Sequence, residues 1–101
     1  MKMLLVIFRE SLDEEIRRLL GDLDLRAFTE APKVFGIGEA GRSAGTFEHP
    51  GYNSMIFCAL EDDKAGQVIS GLKSFREKLS RNQRGAKIPM RAFVLPCEQV
   101  V

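Results

Sequence analysis

The sequence predicts an α+β fold of the ferredoxin-like type, βαββαβ, an antiparallel sheet with two helices on one face. Three observations predict it. Apolar runs of strand length occur near residues 2–8, 54–60 and 88–96. Two intervening stretches repeat apolar residues at helical spacing. The order of these segments is that of the split βαβ unit.

The first strand is "KMLLVIF", residues 2–8. "SLDE" (Ser11 to Glu14) follows with the pattern of a capping box and starts a helix. Leu12, Ile16, Leu19, Leu20 and Leu23 form one apolar stripe on that helix, which ends near Asp22 or Asp24. "LRAFTEAPKVFG" (Leu25 to Gly36) is rich in aromatic and β-branched residues and makes the second strand, with Pro32 marking an edge position or a bulge. "SMIFCAL" (Ser54 to Leu60) is the third strand. The carboxylates of "EDD" then suit the positive end of a second helix, whose apolar face carries Ala65, Val68, Ile69, Leu72, Phe75 and Leu79. "IPMRAFVLP" (Ile88 to Pro96) is the fourth strand.

The first and third strands are apolar on both parities: Met3, Leu5 and Ile7 point one way, Leu4, Val6 and Phe8 the other. A sheet with helices on one face only would leave the other apolar face exposed, so a second subunit is expected to cover it. With 101 residues the chain is a single domain, 1–101, and its own core is limited.

A net charge of +1 argues against a dedicated nucleic-acid binder, whose affinity comes from a surplus of Lys and Arg. Cys58 and Cys97 lie far apart among apolar residues and read as small buried thiols in a reducing compartment. The N-terminal apolar run is too short for a signal peptide, and no segment approaches the about 20 apolar residues of a membrane helix. The expected location is cytoplasmic, with no membrane insertion.

"GIGEAG" (Gly36 to Gly41) matches G-x-G-x-x-G, the dinucleotide-binding fingerprint. That fingerprint works by aiming a helix N-terminus at pyrophosphate. Here "RSAGTFEHPGYN" follows, with Gly45, Pro50, Gly51 and no helical period, so the motif opens a long connection between two strands instead. Loops longer than about 12–15 residues in compact domains tend to be functional or mobile.

From Lys73 to Arg91, seven basic residues (Lys73, Arg76, Lys78, Arg81, Arg84, Lys87, Arg91) accompany a single acid, Glu77. Such a run can hold a phosphate-bearing ligand or simply be a solvated helix face. His49, the only histidine, has no paired ligand at metal-binding spacing, so no metal site is assigned. No Cys/His or Ser/His arrangement is recognisable; no catalytic residue is assigned and the chain does not read as an enzyme.

Three stretches carry a resemblance. "TEAPKVFGIGEAG" (Thr29 to Gly41), "DDKAGQVISGLKS" (Asp62 to Ser74) and the closing "RAFVLPCEQVV" (Arg91 to Val101), with its Pro-x-Glu-x-Val, resemble the P-II nitrogen-regulatory signal-transduction proteins and their shorter P-II-like relatives. The resemblance implies a homotrimer whose sheets face inward, adenine nucleotides bound in clefts between subunits, and a T-loop (residues 36–53) that touches a target such as a transporter or metabolic enzyme. It places ligand contacts at Gly36, Gly38, Glu39, Arg84, Lys87 and Arg91, and partner contacts at Arg42, Phe47, His49 and Tyr52. The chain departs from the family pattern in four places, one of them a loop several residues shorter. It has "RGAKIPMR" where the family has a Gly-Asp-Gly-Lys phosphate loop, a residue near Gly38 in place of the T-loop glutamine, and Tyr52 away from the modified tyrosine. A metal-binding trimer similar to the CutA proteins, using His49, is the alternative.

Overall fold

The computed structural model describes residues 1–38, 41–42, 51–82 and 88–101, with the backbone alone for Gly38, Gly41 and Arg42. Strand β1 (Lys2–Arg9) passes through one 3-10 turn (Glu10–Leu12) into helix α1 (Asp13–Asp22). Strands β2 (Thr29–Val34), β3 (Ile37–Gly38), β4 (Gly41–Arg42) and β5 (Asn53–Leu60) follow, then helix α2 (Asp62–Asn82) and strand β6 (Met90–Pro96). The main sheet runs β2-β5-β1-β6, antiparallel throughout, which is the ferredoxin-like plan the sequence predicts. β3 and β4 form a small ladder of their own, pairing Ile37 with Arg42 and Gly38 with Gly41.

The core lies between the sheet and the helices. From β1 come Leu4, Val6 and Phe8, from β5 Ile56 and Leu60, and from β6 Met90; α1 supplies Ile16 and Leu20, the turn before it Leu12, and α2 Ala65, Val68 and Leu72. The two helical stripes are those read from the sequence, because 3.6-residue periodicity returns these positions to one side. The helices approach closely at Gly71, where a Cβ would stand 2.5 Å from Leu23 Cδ1.

Two boundaries differ from the sequence-based expectation, each for a local reason. Ser11 does not cap α1: it sits within the 3-10 turn, and Leu12 occupies the N-cap position without a side-chain hydrogen bond. The acidic first turn of Asp13, Glu14 and Glu15 complements the helix dipole instead. The second strand starts at Thr29 and not at Leu25, because Leu25 belongs to the closure of α1 and the extended pairing begins only at Thr29. Leu25 N donates to Leu20 O (2.8 Å) and Asp24 N to Gly21 O (3.0 Å), the paired bonds of a Schellman motif. Asp24 takes the required positive φ of 59°, and Leu25 folds back into the core. Lys64 Nζ, from the first turn of α2, donates to Leu23 O at 2.6 Å and so satisfies a carbonyl at this helix end.

Pro32 marks both features expected of it. β2 is an edge strand, and its pairing with β5 shifts register between Ala31 and Val34, with Lys33 at φ 54°. The cysteines differ from expectation: both are free, but each is only half-buried. Cys58 Sγ lies on the helix side of β5 and donates to Ala27 O at 3.2 Å, and burial raises its thiol pKa.

Candidate functional site

β-strand alternation and the observed register assign the face of the sheet away from the helices. Met3, Leu5 and Ile7 of β1 stand opposite Leu95, Phe93 and Arg91 of β6 on one side, and opposite Ala59, Phe57 and Met55 of β5 on the other. β2 adds Thr29 and Ala31 to this face. Both helices pack on the other face, and Phe93 and Leu95 remain 47 % and 46 % exposed. A continuous apolar face of this kind is what a second copy of the chain would cover.

Gly36 and Arg91, two of the candidate ligand residues, sit at one end of this sheet. β2 leaves toward Gly36, β5 enters from Tyr52 and Asn53, β1 leaves at Arg9, and β6 enters at Met90. Arg9 N donates to Pro89 O and Glu10 N to Tyr52 O, both at 3.0 Å, so these crossings are fastened to one another. Gly36 packs against Asn53, whose Nδ2 would lie 3.2 Å from a Cβ there. β3 and β4 continue the path beyond β2, which explains in structural terms why "GIGEAG" is no dinucleotide turn: the residues at and after its third glycine form a strand.

Gly36 and Arg91 share an end of the sheet but not an edge. β2 and β6 are its outermost strands, three strand spacings or about 14 Å apart. Arg91 lies opposite Ile7 on the open apolar face and is exposed. One copy therefore does not bring the two residues together. Tyr52 is exposed beside the root of the loop, and Gly38 and Arg42 are placed by backbone in the small ladder. Glu39, Phe47, His49, Arg84 and Lys87 lie outside the described residues. Among the described residues no group of three His, Cys, Asp or Glu is placed to hold a metal ion, and no helix is long and apolar enough to cross a membrane.

Sequence reasoning missed a polar cleft of about 470 Å³ beside the same root, lined by Glu10, Ser11, Asp13, Glu30, Pro32, Lys33 and Ser54. Arg17 joins two of its lining residues, with Nε 3.0 Å from Asp13 Oδ2 and Nη2 3.1 Å from Glu30 Oε1. The second contact is an ion pair without hydrogen-bond geometry, since Glu30 Oε1 is shielded from solvent with no hydrogen-bond partner; Asp13 Oδ1, the oxygen that Arg17 does not approach, is likewise shielded and unpartnered. Glu30 and then Asp13 raise the pKa of Arg17 further above its ordinary value. α1 is thereby tied to β2 just before the register shift. The sequence signal was Pro32 followed by a residue at positive φ, and only the first half of it is visible in a sequence.

A family model for nitrogen regulatory protein P-II matches residues 1–101, the whole chain. The chain belongs to the P-II family. Solved structures with the same fold as this P-II chain include CPII, a nitrogen regulatory PII-like protein from Thiomonas intermedia K12, bound to ADP, AMP and bicarbonate. It is 21% identical, with a TM-score of 0.66 over 93% of this chain and 82% of that one. The apo form of CPII is matched at 18% identity and TM-score 0.65, covering 93% of this chain and 85% of that one. A putative PII-like signaling protein from Thermus thermophilus is matched at 13% identity and TM-score 0.56, covering 93% of this chain and 83% of that one. A comparison with curated proteins finds no match. At these identities the structural likeness establishes the fold of this P-II chain, and the family match establishes its membership in a family of regulatory proteins.

Proposed function

We propose that the chain is a cytoplasmic, non-enzymatic P-II-like regulator that assembles as a homotrimer, binds an adenine nucleotide in the clefts between copies, and engages a partner protein through residues 36–53. The observation that carries this reading is the separation of Gly36 and Arg91: one end of the sheet, opposite edges, with an apolar face between them. Packing those faces against one another sets the β2 edge of one copy beside the β6 edge of the next. Residues about 14 Å apart within a chain then become neighbours between chains.

In such a cleft Gly36 and Gly38 let the backbone come close to a phosphate, because neither carries a Cβ. Arg91, with Arg84 and Lys87, supplies charge-assisted hydrogen bonds to it. Glu39 follows Gly38 in sequence and is assigned to the same ligand contact. A nucleotide bound there favours one arrangement of the 36–53 segment, and Arg42, Phe47, His49 and Tyr52 present that arrangement to the partner, a transporter or a metabolic enzyme. CPII, similar in fold, has been solved with ADP, AMP and bicarbonate, and this supports the choice of nucleotide.

Calorimetric titration of the full chain with ATP, ADP, AMP and cyclic AMP tests the reading. Saturable heat with at least one of them is expected, weakened by Arg91→Ala. Absence of heat with all four removes the nucleotide.

A further inference from the structure

We infer that Arg17 is a positioning residue for the 36–53 segment, a single side chain that braces both of its arms. The outgoing arm is β2, where Glu30 holds its Oε1 3.1 Å from Arg17 Nη2. The incoming arm enters β5 through Tyr52, whose carbonyl accepts from Glu10 N at 3.0 Å. Glu10 O in turn accepts from Asp13 N, and the Asp13 carboxylate lies 3.0 Å from Arg17 Nε. The guanidinium thus stands between the anchors of the two arms, a place that suits a planar cation with several donors.

β2 is poorly placed to hold its own arm. Its pairing with β5 is interrupted between Ala31 and Val34, Pro32 has no N–H to give, and Lys33 takes a φ of 54°. A shift of the strand at Glu30 therefore passes into Val34 and Gly36 with little resistance from the ladder. Gly36 packs against Asn53, where the incoming arm joins β5, so a shift of one arm changes its fit to the other. The Glu30 side chain is only 10 % exposed, and among the described residues no other cation lies within ion-pair distance of it. Without Arg17 that carboxylate has no compensating charge in its shielded place and is driven toward water, drawing β2 with it.

The inference rests on the nucleotide reading above for one of its two readouts, and the test separates them. Tyr52 is the single tyrosine and the chain has no tryptophan, so tyrosine emission reports the root of the 36–53 segment alone. In Arg17→Met, acrylamide quenching of that emission is expected to rise in the folded protein. The dissociation constant for ADP is expected to rise by about tenfold, the effect of cutting the binding-competent fraction to about a tenth. Arg17→Lys is expected to recover part of both changes, since an ammonium reaches one carboxylate at a time. Glu30→Gln removes the attraction without leaving a buried charge unpaired, and smaller changes of the same sign are expected in a chain that folds. Arg18→Met, on the same helix but outside the bridge, is expected to alter neither readout. A merely structural role would lower the urea midpoint and leave both readouts of the folded protein unaltered; that result in Arg17→Met and Glu30→Gln overturns the inference. Increased quenching with no ADP heat from the unaltered protein keeps the brace and removes the nucleotide. Unchanged quenching with ADP bound as before removes the brace and keeps the nucleotide.

Discussion

Asp24 shows how a single backbone angle decides where a strand begins. Its φ of 59° allows the Schellman bonds that return Leu25 to the core, and an L residue other than glycine holds that angle at a cost. Asp24→Gly is expected to stabilise the fold by about 0.5–1 kcal/mol in urea unfolding, since the exposed Asp24–Arg26 pair at 3.0 Å offsets little of the gain. Lys64 closes the same helix end through Leu23 O, and Lys64→Met is expected to lose about 1 kcal/mol by the same measurement. Cys58 supplies a pH dependence. Burial raises its pKa, so the folded state holds the proton longer than the unfolded chain does. The associated stability is complete below the ordinary thiol pKa and declines as pH rises through the higher folded value. Alkylation at a pH of about 8 is expected to be slower in the folded protein than after denaturation, and the alkaline decline is expected to shrink in Cys58→Ala.

At the scale of elements, the two helices and the four strands of the main sheet were legible because hydrophobic periodicity survives any tertiary context that buries one face. The stripe from Leu12 to Leu23 and that from Ala65 to Leu79 both pack as read. Ser11 misled because a capping box and a 3-10 turn use similar residues, and the choice between them depends on where β1 releases the chain. β2 was read too long because a Schellman closure at a non-glycine residue leaves little trace in sequence. The β3–β4 ladder was hidden by its glycines, which carry no alternation to read. The polar cleft was hidden for another reason: Asp13 and Arg17 come from α1 and Glu30 from β2, and only folding brings them together. Helix packing makes its own prediction at Gly71. A bulky side chain there meets Leu23, so Gly71→Leu is expected to destabilise by about 1–3 kcal/mol, read as a lower urea midpoint.

For the whole molecule the decisive feature is a sheet with two apolar faces and helices for only one. Its sequence signature, apolar residues on both parities of β1 and β5, is plain, whereas the ligand proposed for the assembly has no such signature, because the phosphate-loop residues of the pattern that this chain resembles differ here. Phe93→Glu places a charge in the middle of the open face, opposite Leu5. It is expected to leave the helix-side core intact and to abolish assembly, giving a monomer in sedimentation with an unchanged far-ultraviolet circular dichroism spectrum. The same variant gives the most direct test of the central claim, that copies of the chain build the ligand site jointly. ADP is titrated calorimetrically into the unaltered protein and into Phe93→Glu under the same conditions. Saturable heat with the first and none with the second is the predicted result; equal binding by the monomeric variant, or no heat from the unaltered protein, would contradict it.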